Sequence, residues 1–166
     1  MTTGLVHHYF PSKDALIAGT LRSMSMEMAG SAAAVFETTG DIAAAARDVW
    51  RFGQVRPAFM MIVVSWSLEG RDVSQAMGNH PFIEMLVVAF GGQQSDDAVT
   101  AAGVVVTMIL GASVLRVAVN RGLGREPGDQ RLAAAFEDAI SGYVQDASTA
   151  AEAGRLPAPK RNGEHS

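Results

Sequence analysis

The sequence predicts an all-α protein, because apolar residues recur at helical spacing nearly throughout and strand-like alternation is absent over any useful length. The 166 residues, 48% of them hydrophobic and 18% charged, are enough for one domain with a substantial core. The lack of cysteine excludes disulfides, thiolate metal sites and cysteine nucleophiles within this sequence. No basic stretch followed by an apolar run opens the chain, so a cytoplasmic protein is expected.

Three helices are predicted in the first part of the chain. Ser12 is a suitable N-cap with Asp14 in the first turn, where the helix dipole favours an acid, and the apolar face continues to about Val35. A second helix is expected to start near Asp41. Pro57 suits the first position of a third helix, since its missing N–H has no partner there in any case.

The middle of the chain combines a predicted loop with a short helix. The polar, glycine-bounded stretch 69–78 is interpreted as a loop. Pro81 is then expected to open a helix, and Gly91 with Gly92 to stop it.

Two long helices are predicted in the last part. Ser95 caps the first, which continues to about Val119 and is the most apolar of the chain. A loop is expected over 120–128, after which Asp129 caps an amphipathic last helix. Residues 154–166 are rich in Pro, Gly and charge and are expected to form a disordered tail.

The segment 98–115 has no charged residue and is about the minimum length for a membrane span. Small and polar residues within it argue for a soluble core helix instead, and no Trp or Tyr flanks it. These residues are Gly103, Thr107, Gly111 and Ser113. A central core helix, without a membrane partner, is therefore the expectation.

The opening residues carry a motif. The sequence runs Met1-Thr-Thr-Gly-Leu-Val-His-His-Tyr-Phe-Pro-Ser-Lys-Asp-Ala-Leu16. It resembles the end of the helix-turn-helix in tetracycline-repressor (TetR) family regulators, where a Ser/Thr-x-Gly stretch leads into Tyr-x-(Tyr/His)-Phe-x-Ser-Lys-(Glu/Asp)-x-Leu. The matching positions are Thr2, Gly4, Val6, Tyr9, Phe10, Ser12, Lys13, Asp14 and Leu16. The motif covers a small part of the chain, and the remainder agrees with the family in helix order and length.

The resemblance implies a TetR-type helical bundle. Residues 1–11 would be a truncated remnant of the DNA-binding domain that includes part of the recognition helix, and 12–153 would be a ligand-binding and dimerisation domain of about six helices. It also implies a ligand-responsive transcriptional regulator, in most cases a repressor, that binds an operator as a homodimer.

The DNA contacts implied by the resemblance lie at the start of the chain. Pro11 would end the recognition helix abruptly, and Lys13 would offer a cation to a phosphate. The candidate DNA-binding residues are Thr2, Thr3, Gly4, His7, His8, Tyr9 and Lys13. His7 departs from the Tyr that is usual in the family, which puts its phosphate contact in doubt. The adjacent imidazoles of His7 and His8 point in different directions on a helix, so a metal site is disfavoured.

The family has two helices before the recognition helix, and they are not present before Met1. The family often has Val at the position of Met1, which leads to the hypothesis of a misassigned gene start. DNA binding by the chain as written is expected to be impaired, in keeping with its net charge of −4. The alternative is a helical dimerisation or ligand-binding module that does not bind DNA.

A small hydrophobic ligand is expected inside the body, because aromatic and methionine side chains commonly line apolar pockets. The candidate pocket residues are Trp50, Phe59, Trp66, Met85 and Met108. The last two helices are expected to pair with their copies, and the candidate interface residues are Phe136, Ala139, Ile140 and Tyr143. Without a nucleophile elbow, phosphate loop or zinc motif, neither enzymatic activity nor a cofactor is expected.

Overall fold

The structure, a computed structural model, describes residues 10–78 and 80–154. In these residues the chain forms seven helices and no strand, which confirms the predicted all-α class. The helices are α1 (Lys13–Thr39), α2 (Ile42–Val55), α3 (Pro57–Leu68), α4 (Val73–Met77), α5 (Pro81–Ala89), α6 (Asp96–Gly122) and α7 (Arg131–Glu152). The predicted recognition-helix remnant up to residue 9 and the predicted tail beyond residue 154 lie outside the described residues.

The starts of α1 and α2 each have a side-chain cap, at Ser12 as predicted and at Asp41, near which the second helix was expected to start. Ser12 Oγ accepts a hydrogen bond of 3.0 Å from the Ala15 N–H. Asp41 Oδ1 accepts one of 2.8 Å from the Ala43 N–H. Each cap satisfies a backbone donor that has no partner inside the helix, and so fixes where the helix begins.

The end of α1 lies later than predicted, at Thr39 rather than near Val35. Gly40 adopts a φ of 66°, and its N–H donates to the Phe36 carbonyl at 2.7 Å. This left-handed residue is a common helix terminator that glycine adopts without a steric cost. The apolar stripe ends before the helix does, which explains the early predicted end.

The stretch 69–78 is not wholly a loop, because it contains α4. Asp72 Oδ1 accepts a hydrogen bond of 2.9 Å from the Gln75 N–H and caps this one-turn helix. Ala76 and Met77 are buried on the inner side of the turn. Five residues are too few for a helical period to show in the sequence, so tertiary contacts decide the structure here.

The predicted loop 120–128 begins later than expected, since α6 continues to Gly122. Asn120 is fully buried, and its Nδ2 donates to the Asp129 carbonyl at 3.1 Å. The N-cap of α7 is Gln130, one residue after the predicted Asp129, and its side chain makes no capping hydrogen bond. The Asp129 carboxylate still accepts a hydrogen bond of 2.8 Å from the N–H of Arg131, the first residue of α7. Asn120 therefore connects the end of α6 to the start of α7.

The core lies around α2, which packs against α1, α3, α6 and α7. The largest fully buried side chains include Trp50, Phe90, Leu21, Met60, Leu86 and Ile140. Gly53 permits the close approach of α3 and α6, because an added Cβ would lie 2.5 Å from Met60 Cε and 2.9 Å from Ser113 Oγ. This close crossing brings the inner faces of α1, α3 and α6 towards one another.

One face of α6 packs in the core and the opposite face is exposed. The helix is long and apolar enough to cross a membrane, and 33% of its most apolar window is buried. Gly103 and Gly111 have open space where a Cβ would lie, and Val104 and Thr107 are exposed between them. The predicted core helix is thus buried on one side only.

Candidate ligand-binding site

A cavity of about 260 Å³ lies between α1, α2, α3, α4, α5 and α6. Its volume is close to the lower end, about 300 Å³, of small-molecule sites in proteins. An apolar cavity of about 150 Å³ already holds a benzene ring. The space therefore suits one ring with a short substituent.

The walls are apolar and come from segments that are far apart in the chain. The lining includes Met28 and Ala29 of α1 and Phe59 and Val63 of α3. Helix α6 contributes Val106 and two further residues on the same face of the helix. Each helix turns an i, i+3 or i, i+4 face inward, which is the spacing of one side of a helix. Such a surface binds ligands through burial of apolar area.

The polar groups on the wall are few. Ser67 Oγ already donates to the Val63 carbonyl at 2.9 Å, as a helical serine commonly does. Ser25 is buried in the middle of α1, with 3% of its surface exposed. His80, between α4 and α5, has its Nε2 atom buried without a hydrogen-bond partner among the described residues.

Phe59 is the predicted pocket residue that lines this cavity, and the other four lie elsewhere. Trp50 is buried beside Phe136, with ring centroids 6.1 Å apart. Trp66 borders an open surface groove on the other side of α3. The side chains of Met85 and Met108 are half-buried against the core.

The missed lining residues are mostly valine, isoleucine, serine and smaller side chains. Of the large apolar residues predicted to form the pocket, Phe59 lines the cavity and Trp50 fills the core, whereas the methionines of the wall, Met28, Met60 and Met77, were not among those predicted. A cavity arises where smaller side chains meet, which depends on the packing of several helices and leaves no local signal in the sequence.

The loop between α3 and α4 connects the cavity wall to the start of α1. Arg71 Nη1 lies 2.8 Å from Asp14 Oδ2, in the first turn of α1, and its Nε lies 2.8 Å from Glu69 Oε2. The hydrogen bond that Arg71 donates to the Asp14 carboxylate is the main reason that the pKa of Arg71 is raised above its ordinary value. The guanidinium also lies 4.9 Å from the ring centroid of Trp66, a cation–π contact.

Immediately before α1, Phe10 packs back onto that helix. A Cβ at Gly19 would lie 3.0 Å from Phe10 Cε1, so the glycine makes room for the ring. This contact holds the residue just before the described start of α1 against that helix. Lys13, the first residue of α1, is exposed. The other candidate DNA-binding residues, Thr2, Thr3, Gly4, His7, His8 and Tyr9, lie outside the described residues.

The four candidate dimer residues on α7 differ in their accessibility. Ile140 is fully buried inside the protomer, so its side chain offers no surface to a partner. Phe136 and Tyr143 are half-buried against the core of the same chain, whereas Ala139 is exposed. The period of an amphipathic helix identifies its apolar face but does not distinguish burial in the protomer from burial in an interface.

Comparisons with protein-family models, with curated proteins and with solved structures found no match for this chain.

Proposed function

We propose that the chain is a TetR-like, ligand-responsive transcriptional regulator whose helical body binds a small hydrophobic molecule. The observation that carries the proposal is the apolar cavity together with its connection to the N-terminal segment. Val73 and Met77 of α4 contribute to the cavity wall. Arg71, two residues before α4 begins, forms an ion pair with Asp14, which belongs to the segment that carries the resemblance.

Ligand binding can shift the N-terminal segment only if the two conformations differ in affinity for the ligand. α4 is one turn long and packs on α1 and α3, so it is the wall element with the smallest packed area. A ligand that displaces α4 moves Arg71, and with it the first turn of α1. The cavity occupant thereby acts on the position of the segment expected to face DNA.

The proposal includes a homodimer formed through the exposed face of α6. A 27-residue helix is about 40 Å long. This face has no charged side chain between Ala98 and Leu115, so two copies related by a two-fold axis bring no like charges together. Gly103 and Gly111 permit close approach of a second helix, and nothing within the protomer requires glycine at either position.

The second candidate function is a ligand-binding module that does not bind DNA. The net charge of −4 favours it, because DNA binding depends on clustered cations that neutralise phosphates. The two candidates share the cavity and differ only at the N-terminal segment.

Selection from a random double-stranded DNA library tests the proposal. The regulator should enrich a palindromic sequence with low affinity, because DNA binding by this chain is expected to be impaired, and binding should weaken further when an apolar compound that raises the melting temperature is added. Lys13→Gln should reduce the slope of log affinity against log salt by about one, as the loss of one phosphate contact predicts. Arg125→Gln, an equal charge change in the exposed loop after α6, is the matched control.

The selection also separates the two candidates. A protein that binds apolar compounds but enriches no DNA sequence is a ligand-binding module. A protein that binds neither DNA nor apolar compounds contradicts both.

A further inference from the structure

One residue of the cavity wall, His80, carries a buried polar atom without a hydrogen-bond partner among the described residues. The Nε2 atom of His80 is buried and has no hydrogen-bond partner in residues 10–78 and 80–154. His80 precedes Pro81, the first residue of α5, and both line the cavity. Buried polar atoms in native proteins are nearly always paired, so an unpaired one at a cavity wall indicates where a ligand places its polar group.

The remainder of the wall restricts the charge of that ligand. The lining residues include no Asp, Glu, Lys or Arg. An ionised ligand would lose its hydration without gaining a counter-charge from any of these residue types, which is strongly unfavourable. A neutral ligand is therefore favoured.

The hydrogen-bonding character of the imidazole restricts the polar group itself. Nε2 of a neutral imidazole is a donor in one tautomer and an acceptor in the other. A hydroxyl can donate and accept, so it pairs with either tautomer, whereas a ketone or an ether can only accept.

The nearby apolar residues favour an aromatic body. Met28, Met60 and Met77 line the cavity together with Phe59 and Phe82. Thioether sulfur and aromatic edges both make favourable contacts with a further aromatic ring. We propose that the cavity binds a small neutral phenol, with its ring among these side chains and its hydroxyl hydrogen-bonded to His80 Nε2. This inference rests on the proposed function.

The test uses 4-ethylphenol and 4-ethyltoluene, which differ by a hydroxyl in place of a methyl group. Because the hydroxyl is hydrated in water, the two compounds differ in affinity for any apolar site. The informative quantity is the change in the ratio of their Kd values between proteins, measured by isothermal titration calorimetry. His80→Leu should shift this ratio about tenfold against the phenol, as expected for the loss of one buried hydrogen bond.

Two further variants make the comparison specific. Ser67→Ala removes a hydroxyl that is already bonded to the Val63 carbonyl, so it should leave the ratio unchanged. His80→Phe keeps a ring at the same position and should shift the ratio as His80→Leu does. It takes the place of His80→Leu if the leucine variant does not fold. Both compounds are measured on each variant, so a general loss of stability cancels from the ratio.

The remaining outcomes distinguish this inference from the proposed function. If wild type binds both compounds and His80→Leu leaves their ratio unchanged, the cavity is a ligand site but the histidine anchor is wrong. If wild type binds neither compound, the proposed ligand site fails together with the anchor. Tighter binding of 4-ethylbenzoate than of 4-ethylphenol, lost in His80→Leu, would overturn the neutral phenol in favour of an anion.

Discussion

Gly53→Ala tests the packing that forms the inner faces of the bundle. The added methyl group would lie 2.5 Å from Met60 Cε and 2.9 Å from Ser113 Oγ. Gly53 and Met60 are both buried, so the methyl group must displace a packed side chain. Overpacking of this kind costs about 1–3 kcal/mol.

Gly30→Ala is the matched control, because it lies inside α1 with nothing within 4 Å of a new Cβ. Both substitutions gain the helix propensity of alanine, about 1 kcal/mol, and both restrict the unfolded chain equally. The difference between the two variants therefore isolates the overpacking cost. Gly30→Ala should raise the free energy of unfolding by about 0.5–1 kcal/mol.

Urea unfolding followed by circular dichroism at the helical band measures both variants. Gly53→Ala should be less stable than Gly30→Ala by about 1–3 kcal/mol, which for a chain of this size corresponds to a difference of about 2–12 °C in melting temperature. Equal stability of the two variants would refute the close crossing of α2 with α3 and α6.

Three further predictions concern charge, coupling and association. The pKa of Asp129 is lowered, chiefly by the hydrogen bond from the backbone N–H of the first α7 residue, so the stability it contributes is present above the ordinary pKa of an aspartate and is lost as the pH falls through the lowered pKa. Asp129→Asn should therefore lower the melting temperature at pH 6, and by progressively less as the pH is reduced. Arg71→Gln should leave the affinity for 4-ethylphenol unchanged but abolish the ligand-induced change in amide exchange at the start of α1, whereas Arg51→Gln, which breaks a different surface ion pair, should retain it. Val104→Asp should weaken dimerisation about 100-fold in sedimentation equilibrium, since it buries a charge in an apolar interface. Val88→Asp, at an exposed position of α5, should not weaken it. A wild-type monomer that co-sediments with lipid vesicles would support the membrane alternative instead.

The sequence predicts the helices well where local chemistry determines their ends. Ser12 and Ser95 cap helices as expected, and Pro57 and Pro81 open them. The second helix starts at the expected place, directly after Asp41. Local signals suffice there because a cap or a proline acts on the backbone of its own turn.

The predictions fail where tertiary contacts decide the outcome. α4 is too short to show a period, and Asn120 is buried at the end of α6 by a hydrogen bond to a residue nine positions away. The position of the cavity was also not predicted, apart from Phe59, because it depends on which side chains six helices bring together. Ile140 shows the same limit, since the apolar period of α7 is equally suited to packing in a core and to packing in an interface.

The affinity of 4-ethylphenol for a cavity-filling variant tests the central claim most directly. Val106 is half-buried on the cavity wall, and Val106→Phe places a ring where the ligand is expected. The same substitution at Val88, which is 70% exposed on α5, adds equal bulk outside the cavity. Titration calorimetry should show binding to wild type and to Val88→Phe, and none to Val106→Phe. Equal binding to all three proteins, or no binding to wild type, would contradict a ligand site between these helices.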